Sequence, residues 1–394
     1  MWMREIIKVN KMNNCNTERC DHCPLDNYLY EGIPCVARTR SHQRFCDLAK
    51  YNKYHDKIIE KSINAYFDDY CYNGQAKVIL AYIYRQEDSG LSVSSKNSAT
   101  ILSRLGFEAK EIGCSDLNFL RRNLTPDTRY VFLQAVWYGI DDLVSLAREF
   151  PATRFVSVLH SNIAFLSTEP HIIKFQRDLI SKNVNNIFIG CVSDRLSKWW
   201  KEAYGINAIH LPNLYDSPDN ISIEKDFSVI KLGSFGAMRL QKHHAVAAAA
   251  SVVIAQKSSK NVELHINTGR HDVSILSLVK NIVNGARNIS LVEVPWMSAS
   301  DFSKYTGKMD LCLQPTSTET FNYVTADAAA YCVPSLVGEA VEWMPDDMKV
   351  FIDDPVGIAN RAIEVLGDDT SGVRCKMALE CYNKQAIKKW IEIL

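Results

Sequence analysis

Nowhere in its 394 residues does the sequence hold an apolar run that approaches a membrane span, which needs roughly 20 residues. The segment Met1 to Met12 interleaves Lys, Arg and Glu with apolar side chains, so the apolar stretch of a secretory signal is missing too. Net charge is absent: 45 Lys and Arg balance 45 Asp and Glu. That leaves no global field to draw in nucleic acid or anionic lipid, while a local basic patch stays open. There is no repeat of solenoid period and no low-complexity tract. These absences lead to the expectation of a cytoplasmic chain, whose 12 cysteines then read as thiols or metal ligands rather than disulfides.

What is present describes a globular protein, with 47% hydrophobic and 23% charged residues. The length exceeds one ordinary core, so two domains plus an extension are expected. Residues 1–75 are Cys-rich, polar and aromatic, and read as an extension and linker. Residues 76–216 alternate apolar runs with helical patterns. The runs are Lys77–Tyr84, a short one around Phe107, Tyr130–Gln134, Phe155–Leu159, Asn186–Ile189 and Ala208–Leu211, with a helix-like stretch at Ala99–Leu105. A turn-rich segment, Pro212–Pro218, and polar residues to Asp226 join this region to a second one at 217–380. There the runs are Ser228–Leu232, Val262–Ile266, Ile289–Val292, Asp310–Gln314, Val333–Val337 and Lys349–Ile352. Strands alternating with helices imply crossovers, hence parallel sheets covered on both faces: an α/β chain of two Rossmann-like domains. Ligands of such sheets bind at the carboxyl ends of the strands.

Two motifs carry chemistry. Gly233-Ser-Phe-Gly236-Ala-Met-Arg239-Leu-Gln-Lys242 follows a strand and precedes an alanine-rich helix at 245–255. Its glycines would let backbone approach a ligand, and the helix start offers unpaired amides. Arg239 and Lys242 can reach the same phosphates, one as a fork and the other as a point charge. A solvated helix start bearing two ordinary cations is the competing reading. The second motif, Gln314-Pro-Thr-Ser-Thr-Glu319-Thr-Phe-Asn-Tyr-Val-Thr-Ala-Asp327, follows a buried strand and opens another alanine-rich helix. Glu319 and Asp327 stand eight residues apart, on a helix about two turns and one face. One acid can accept bonds from sugar hydroxyls, a deeper one from a ribose diol. The amides of Thr320, Phe321 and Asn322 would face a phosphate. A capping acid and a solvated Asp are the plainer alternative.

Together the motifs resemble the C-terminal domain of retaining, family-four GT-B glycosyltransferases (glycosyl transferases group 1). The resemblance covers roughly residues 80–390 and is strongest over 228–338. It implies that Arg239 and Lys242 hold the donor diphosphate, that Glu319 lies near the hexose and that Asp327 meets the ribose. Asp327 is a departure, one methylene short of the family's second Glu. Thr320-Phe321-Asn322 stands where Gly-Phe-Pro is often found. In Leu159-His160-Ser161-Asn162, His160 resembles the histidine placed near donor sugar or acceptor; a lone His is otherwise structural. Pro212-Asn213 resembles the hinge, and residues 381–394, with Trp390, resemble a last helix that returns to the first domain. Near the expected base and diphosphate stand Trp296 and Arg270, whose plainer readings are a packed Trp and a surface Arg.

Five cysteines crowd the first 46 residues. The two-residue gap between Cys20 and Cys23 lets both sulfurs grip one metal, and a segment poor in aliphatic residues would gain a core from it. Cys20, Cys23, Cys35 and Cys46 are the preferred ligands of a structural zinc, with Cys15, His22 or His42 able to replace one. An iron–sulfur cluster and unligated thiols compete with it.

The combined reading is transfer of a sugar from a nucleotide-diphosphate donor, a UDP- or GDP-sugar, with retention implied by the resemblance. The acceptor is open among carbohydrate, lipid-linked sugar, protein and modified nucleobase. Nucleotide-sugar epimerase or phosphorylase chemistry on the same fold, or a catalytically inactive zinc-containing binding protein, are the rival readings.

Overall fold

The computed structural model describes residues 76–84, 90–218, 223, 225–226, 228–269 and 272–394. Two parallel sheets divide them. The first is built from β1 (Lys77–Ile83), β2 (Glu108–Cys114), β3 (Thr128–Gln134), β4 (Arg154–Leu159), β5 (Ile187–Cys191) and β6 (Ile209–His210), in the order β2-β1-β3-β4-β5-β6. Its helices are α1 (Gly90–Arg104), α2 (Leu117–Asn123), α3 (Ile140–Glu149), α4 (Ile172–Ser181) and α5 (Asp194–Tyr204). The central strands are apolar on both faces, and Val78 to Ala81 in β1 are fully buried, as a sheet flanked by helices requires. β2 (EAKEIGC) is longer and more polar than the short run around Phe107 suggested. It lies at the sheet edge, where one row of backbone groups faces outward and charge is tolerated.

The expected helix at Ala99–Leu105 starts earlier, at Gly90. Its first half is rich in serine, which by local propensity reads as loop. Tertiary packing overrides that: Ser94 and Ser95 are buried, and Ser94 Oγ donates to Asn213 Oδ1 at 2.6 Å.

The second sheet contains β7 (Val229–Ser234), β8 (Asn261–Asn267), β9 (Ile289–Val294), β10 (Leu311–Gln314) and β11 (Ser335–Val337), in the order β11-β10-β7-β8-β9. Its helices are α6 (His244–Lys257), α7 (Val273–Val283), α8 (Ala299–Thr306), α9 (Tyr323–Ala330) and α10 (Pro355–Leu366). Side-chain caps fix several starts. Asp272 accepts from the amides of Ser274 and Ile275, Ser298 from that of Asp301, and Asp354, before Pro355, from that of Gly357. α6 is alanine-rich because it packs against both α7 and α10 as well as the sheet, and small side chains allow that approach. The run Lys349–Ile352 forms no strand. It makes a single bridge from Lys349 to Val337, then Phe351 turns outward and Asp354 caps α10.

The chain ends in one helix, α11 (Ser371–Ile393), so a division at residue 380/381 falls inside a continuous element. Its first half packs Cys375 and Leu379 into the core of the second sheet. Its last turns bring Trp390 edge-on to Phe132 of β3, with ring centroids 4.8 Å apart, while the indole N–H donates to the Pro212 carbonyl at 2.8 Å. Among the described residues, no helix is long and apolar enough to cross a membrane.

Candidate active site

Both sheets reverse their winding direction beside their first strand, between β1 and β3 and between β7 and β10. Diverging connections at such a point leave a crevice beyond the strand ends. The two crevices face one another across a single cleft of about 610 Å³, lined from one side by Ala135, His160 and Phe165 and from the other by Arg239, Lys242 and Glu319.

The turn after β7 places the first motif. Gly236 adopts φ +102°, a conformation open to glycine, and its amide donates to Asn267 Oδ1 at 2.9 Å. Gly233 serves otherwise than a ligand approach. It lies within β7, and a Cβ there would meet the Phe235 ring at 2.4 Å, so its small size admits a core side chain. Arg239 is exposed at the cleft and its guanidinium sits 5.0 Å from the centroid of Phe165, across from the other half. Lys242 ends a short 3-10 turn, and its ammonium is ion-paired with Glu319.

The second motif departs from one-helix geometry. Glu319 lies in the loop before α9, and only Asp327 is helical; both still line the cleft. Asn322 takes φ +68° and caps α9, accepting from the Thr325 amide at 3.1 Å. Asn tolerates this left-handed conformation, whereas proline, held near φ −65°, does not fit it. Among the described residues, no acceptor pairs with the backbone N–H groups of Thr320, Phe321 and Asn322. The Phe321 ring itself is buried against Tyr323, Trp343 and Tyr382, so it anchors this loop.

Backbone contacts tie the halves together at the same loop. Asn162 Nδ2 donates to the Glu319 carbonyl at 2.5 Å, and Thr320 Oγ1 donates to the His160 carbonyl at 3.0 Å. His160 is half-buried, and burial lowers its pKa to about 4, so the ring is neutral near pH 7. Its Nε2 lies 2.5 Å from Gln134 Oε1, a contact in which the Nε2–H tautomer donates to the amide oxygen. Burial likewise raises the Asp327 carboxyl to about 7, opposed by a hydrogen bond from the Tyr215 hydroxyl, 2.8 Å from Oδ1. Trp296 is half-buried at the cleft wall; Gly269 permits its approach, since a Cβ there would meet Trp296 Cβ at 2.6 Å.

The cleft therefore gathers His160, Gly236, Arg239, Lys242, Trp296, Glu319, the Thr320–Asn322 amides and Asp327. Arg270 and the cysteines Cys20, Cys23, Cys35 and Cys46 lie outside the described residues. Among the described residues, no group of three or more His, Cys, Asp or Glu side chains is placed to hold a metal. Asn162 and Phe165 line the cleft, and Gln134 and Tyr215 bond to His160 and Asp327, roles that the sequence pattern does not indicate. Asn162 belongs to the Leu159–Asn162 segment and Tyr215 to the turn-rich Pro212–Pro218 segment; Phe165 and Gln134 carry no local signal.

No protein-family model matches the chain, and no curated protein matches it. Solved structures do. A glycosyltransferase from Rickettsia africae is 14% identical, with a TM-score of 0.56, over 82% of this chain and 98% of that one. The HepE protein of Anabaena in complex with UDP-glucose gives 13% and 0.53, over 80% of this chain and 100% of the other. S. aureus TarM, crystallised with UDP, gives 12% and 0.54 over 70% of this chain, which spans only 57% of TarM's length. The chain has the fold of these proteins, the GT-B arrangement of two Rossmann-like domains.

Proposed function

We propose that the chain is a GT-B glycosyltransferase that moves a sugar from a nucleotide-diphosphate donor to an acceptor hydroxyl or comparable nucleophile, with retention of configuration. The observation that carries the reading is the head of α9, where the three amides without acceptors share one cleft with Arg239 and Lys242. Amide and cationic donors lining one cleft suit the negative charge that builds on a departing diphosphate. UDP is the first donor nucleotide to try, because the Anabaena and S. aureus neighbours were crystallised with UDP-glucose and UDP.

Each side chain then has a task. Arg239 and Lys242 neutralise the diphosphate. Glu319, beside Lys242, accepts hydrogen bonds from sugar hydroxyls. Neutral His160 offers a hydrogen-bonding ring to donor sugar or acceptor without adding charge. Asp327 faces the ribose, and Trp296 offers a stacking face to the base. No metal is needed where cations and amides already meet the leaving group. A structural zinc on Cys20, Cys23, Cys35 and Cys46 remains a separate proposal that rests on sequence spacing.

The test is a nucleotide-sugar panel read by thermal shift, followed by product analysis. A ligand at about one hundred times its Kd adds roughly 2.7 kcal/mol to stability, so a true donor raises Tm by several degrees. Acceptor-dependent release of nucleotide supports transfer; interconversion of the donor sugar without an acceptor would point to epimerisation. No shift with any UDP- or GDP-sugar refutes the reading.

A further inference from the structure

Tyr215 belongs to the segment that joins the two sheets, and it is clamped from three directions. Its amide donates to Asn383 Oδ1 at 3.0 Å, and its carbonyl accepts from Asn383 Nδ2 at 2.6 Å. Its ring, 3% exposed, lies beside Phe321 and Tyr323. Its hydroxyl reaches Asp327 Oδ1 at 2.8 Å. The backbone bonds make α11 the fixed reference for the ring, so the hydroxyl has little freedom to follow a wandering carboxylate. Asp327, in turn, is reached from the cleft.

A carboxylate has two oxygens, and a ribose diol needs an acceptor held in one orientation. An Asp is shorter than a Glu and cannot reach by flexing, so its aim must come from its surroundings. We propose that Tyr215 is a positioning residue that occupies Oδ1 of Asp327, turns the other oxygen toward the donor's ribose and thereby sets selectivity for ribose over 2′-deoxyribose. The inference rests on the reading of the cleft as a nucleotide-sugar site.

The electrostatics agree with the geometry. The titratable groups around Asp327 are Tyr215 from the linker, Tyr323 on α9, Tyr331 just after it and Cys312 from β10. Burial raises the carboxyl, and the Tyr215 hydrogen bond, with the nearby Ser303 hydroxyl after it, opposes that rise. Burial also holds the Tyr215 hydroxyl well above its ordinary range, so it stays a donor. Ribose hydroxyls need the ionised acid, so nucleotide affinity should fall on acidification through the carboxyl's pKa, and loss of the tyrosine hydroxyl should move that midpoint upward.

The experiment measures calorimetric affinity of the full chain for UDP and 2′-deoxy-UDP, and for the GDP pair, from pH 6 to 8.5. Wild type should prefer the ribonucleotide at least about tenfold, and Tyr215→Phe should cut the preference to about twofold and shift the pH midpoint upward. Asp327→Asn should lose the same preference, and the double variant should lose no more, the signature of two residues acting as one unit. Tyr215→Phe keeps the ring, and its Tm reports folding directly. Wild type that binds neither UDP nor GDP overturns the donor-site reading together with this one. Wild type that binds a ribonucleotide, with Tyr215→Phe keeping both ratio and midpoint, overturns the role of Tyr215 alone. Additive losses in the double variant also overturn it.

Discussion

Glu319→Gln is the perturbation with the sharpest expected outcome. Lys242 and Glu319 form an ion pair in which the two side chains are 20% and 14% exposed. Fully exposed pairs contribute about 0.2–1 kcal/mol, and hydrogen bonds to charged groups about 1.5–3 kcal/mol. A partly shielded pair falls between, at about 1–2 kcal/mol. An arriving diphosphate must share the Lys242 ammonium with Glu319 and must also approach a second negative charge. Glutamine keeps the shape and removes both obstacles, so affinity for bare UDP should rise, by up to about tenfold at 1.4 kcal/mol. Turnover should move the other way, falling roughly a hundredfold or more, because the acceptor for the sugar's hydroxyls has lost its charge. Calorimetry with UDP at low and high salt, beside initial rates with the full donor, separates the effects. UDP binding weakened tenfold would place Glu319 on the nucleotide, and turnover within threefold of wild type would remove it from the sugar. Either result refutes the assignment.

Arg239→Ala should weaken UDP binding by about 1.5–3 kcal/mol, the range for a charged hydrogen bond, whereas Phe165→Ala, which removes only the ring beneath the guanidinium, should cost under about 1 kcal/mol; equal calorimetric affinity in Arg239→Ala and wild type would take Arg239 out of the site. Burial depresses His160 and His244 to about 4, below the unfolded value near 6.5. Their contribution is therefore complete above that value and lost as pH falls toward 4, while Asp327, raised to about 7, acts in the opposite sense over the same window. His160→Gln should flatten the fall in urea midpoint between pH 7 and 5, and an unchanged slope would show that His160 is not held neutral. Protein prepared without chelators should carry about one zinc per chain by elemental analysis, four thiolates closing a structural site, and Cys23→Ser should lose it while UDP binding persists; no metal, or an iron chromophore, would sink the assignment.

Much of the architecture was legible in order along the chain. Buried parallel strands must be apolar on both faces, so Lys77–Tyr84 and Phe155–Leu159 stand out as short runs between helical stretches. Two such sets joined by a turn-rich segment imply two Rossmann-like sheets before any packing is known. The motif residues were legible for the same reason: a loop after a parallel strand opens onto the crevice whichever side chains it bears. Marginal local signals mislead where tertiary context decides the conformation. The serines of α1 read as loop until burial and Asn213 are supplied, and Lys349–Ile352 reads as a strand until its exposed Phe351 is seen.

Only the folded chain decided how the site is tuned. That Gly233 makes room for Phe235, that Asn162 and Thr320 fasten opposite halves, and that Lys242 is held by Glu319 are facts about separations of up to 160 residues. The same holds for Tyr215, whose hydroxyl meets Asp327 across 112 residues of chain. Sequence spacing reports which groups share an element and which face they occupy. The neutral state of His160 and the raised carboxyl of Asp327 depend on desolvation by side chains drawn from several elements at once, and that environment exists only when both sheets and α11 are packed together.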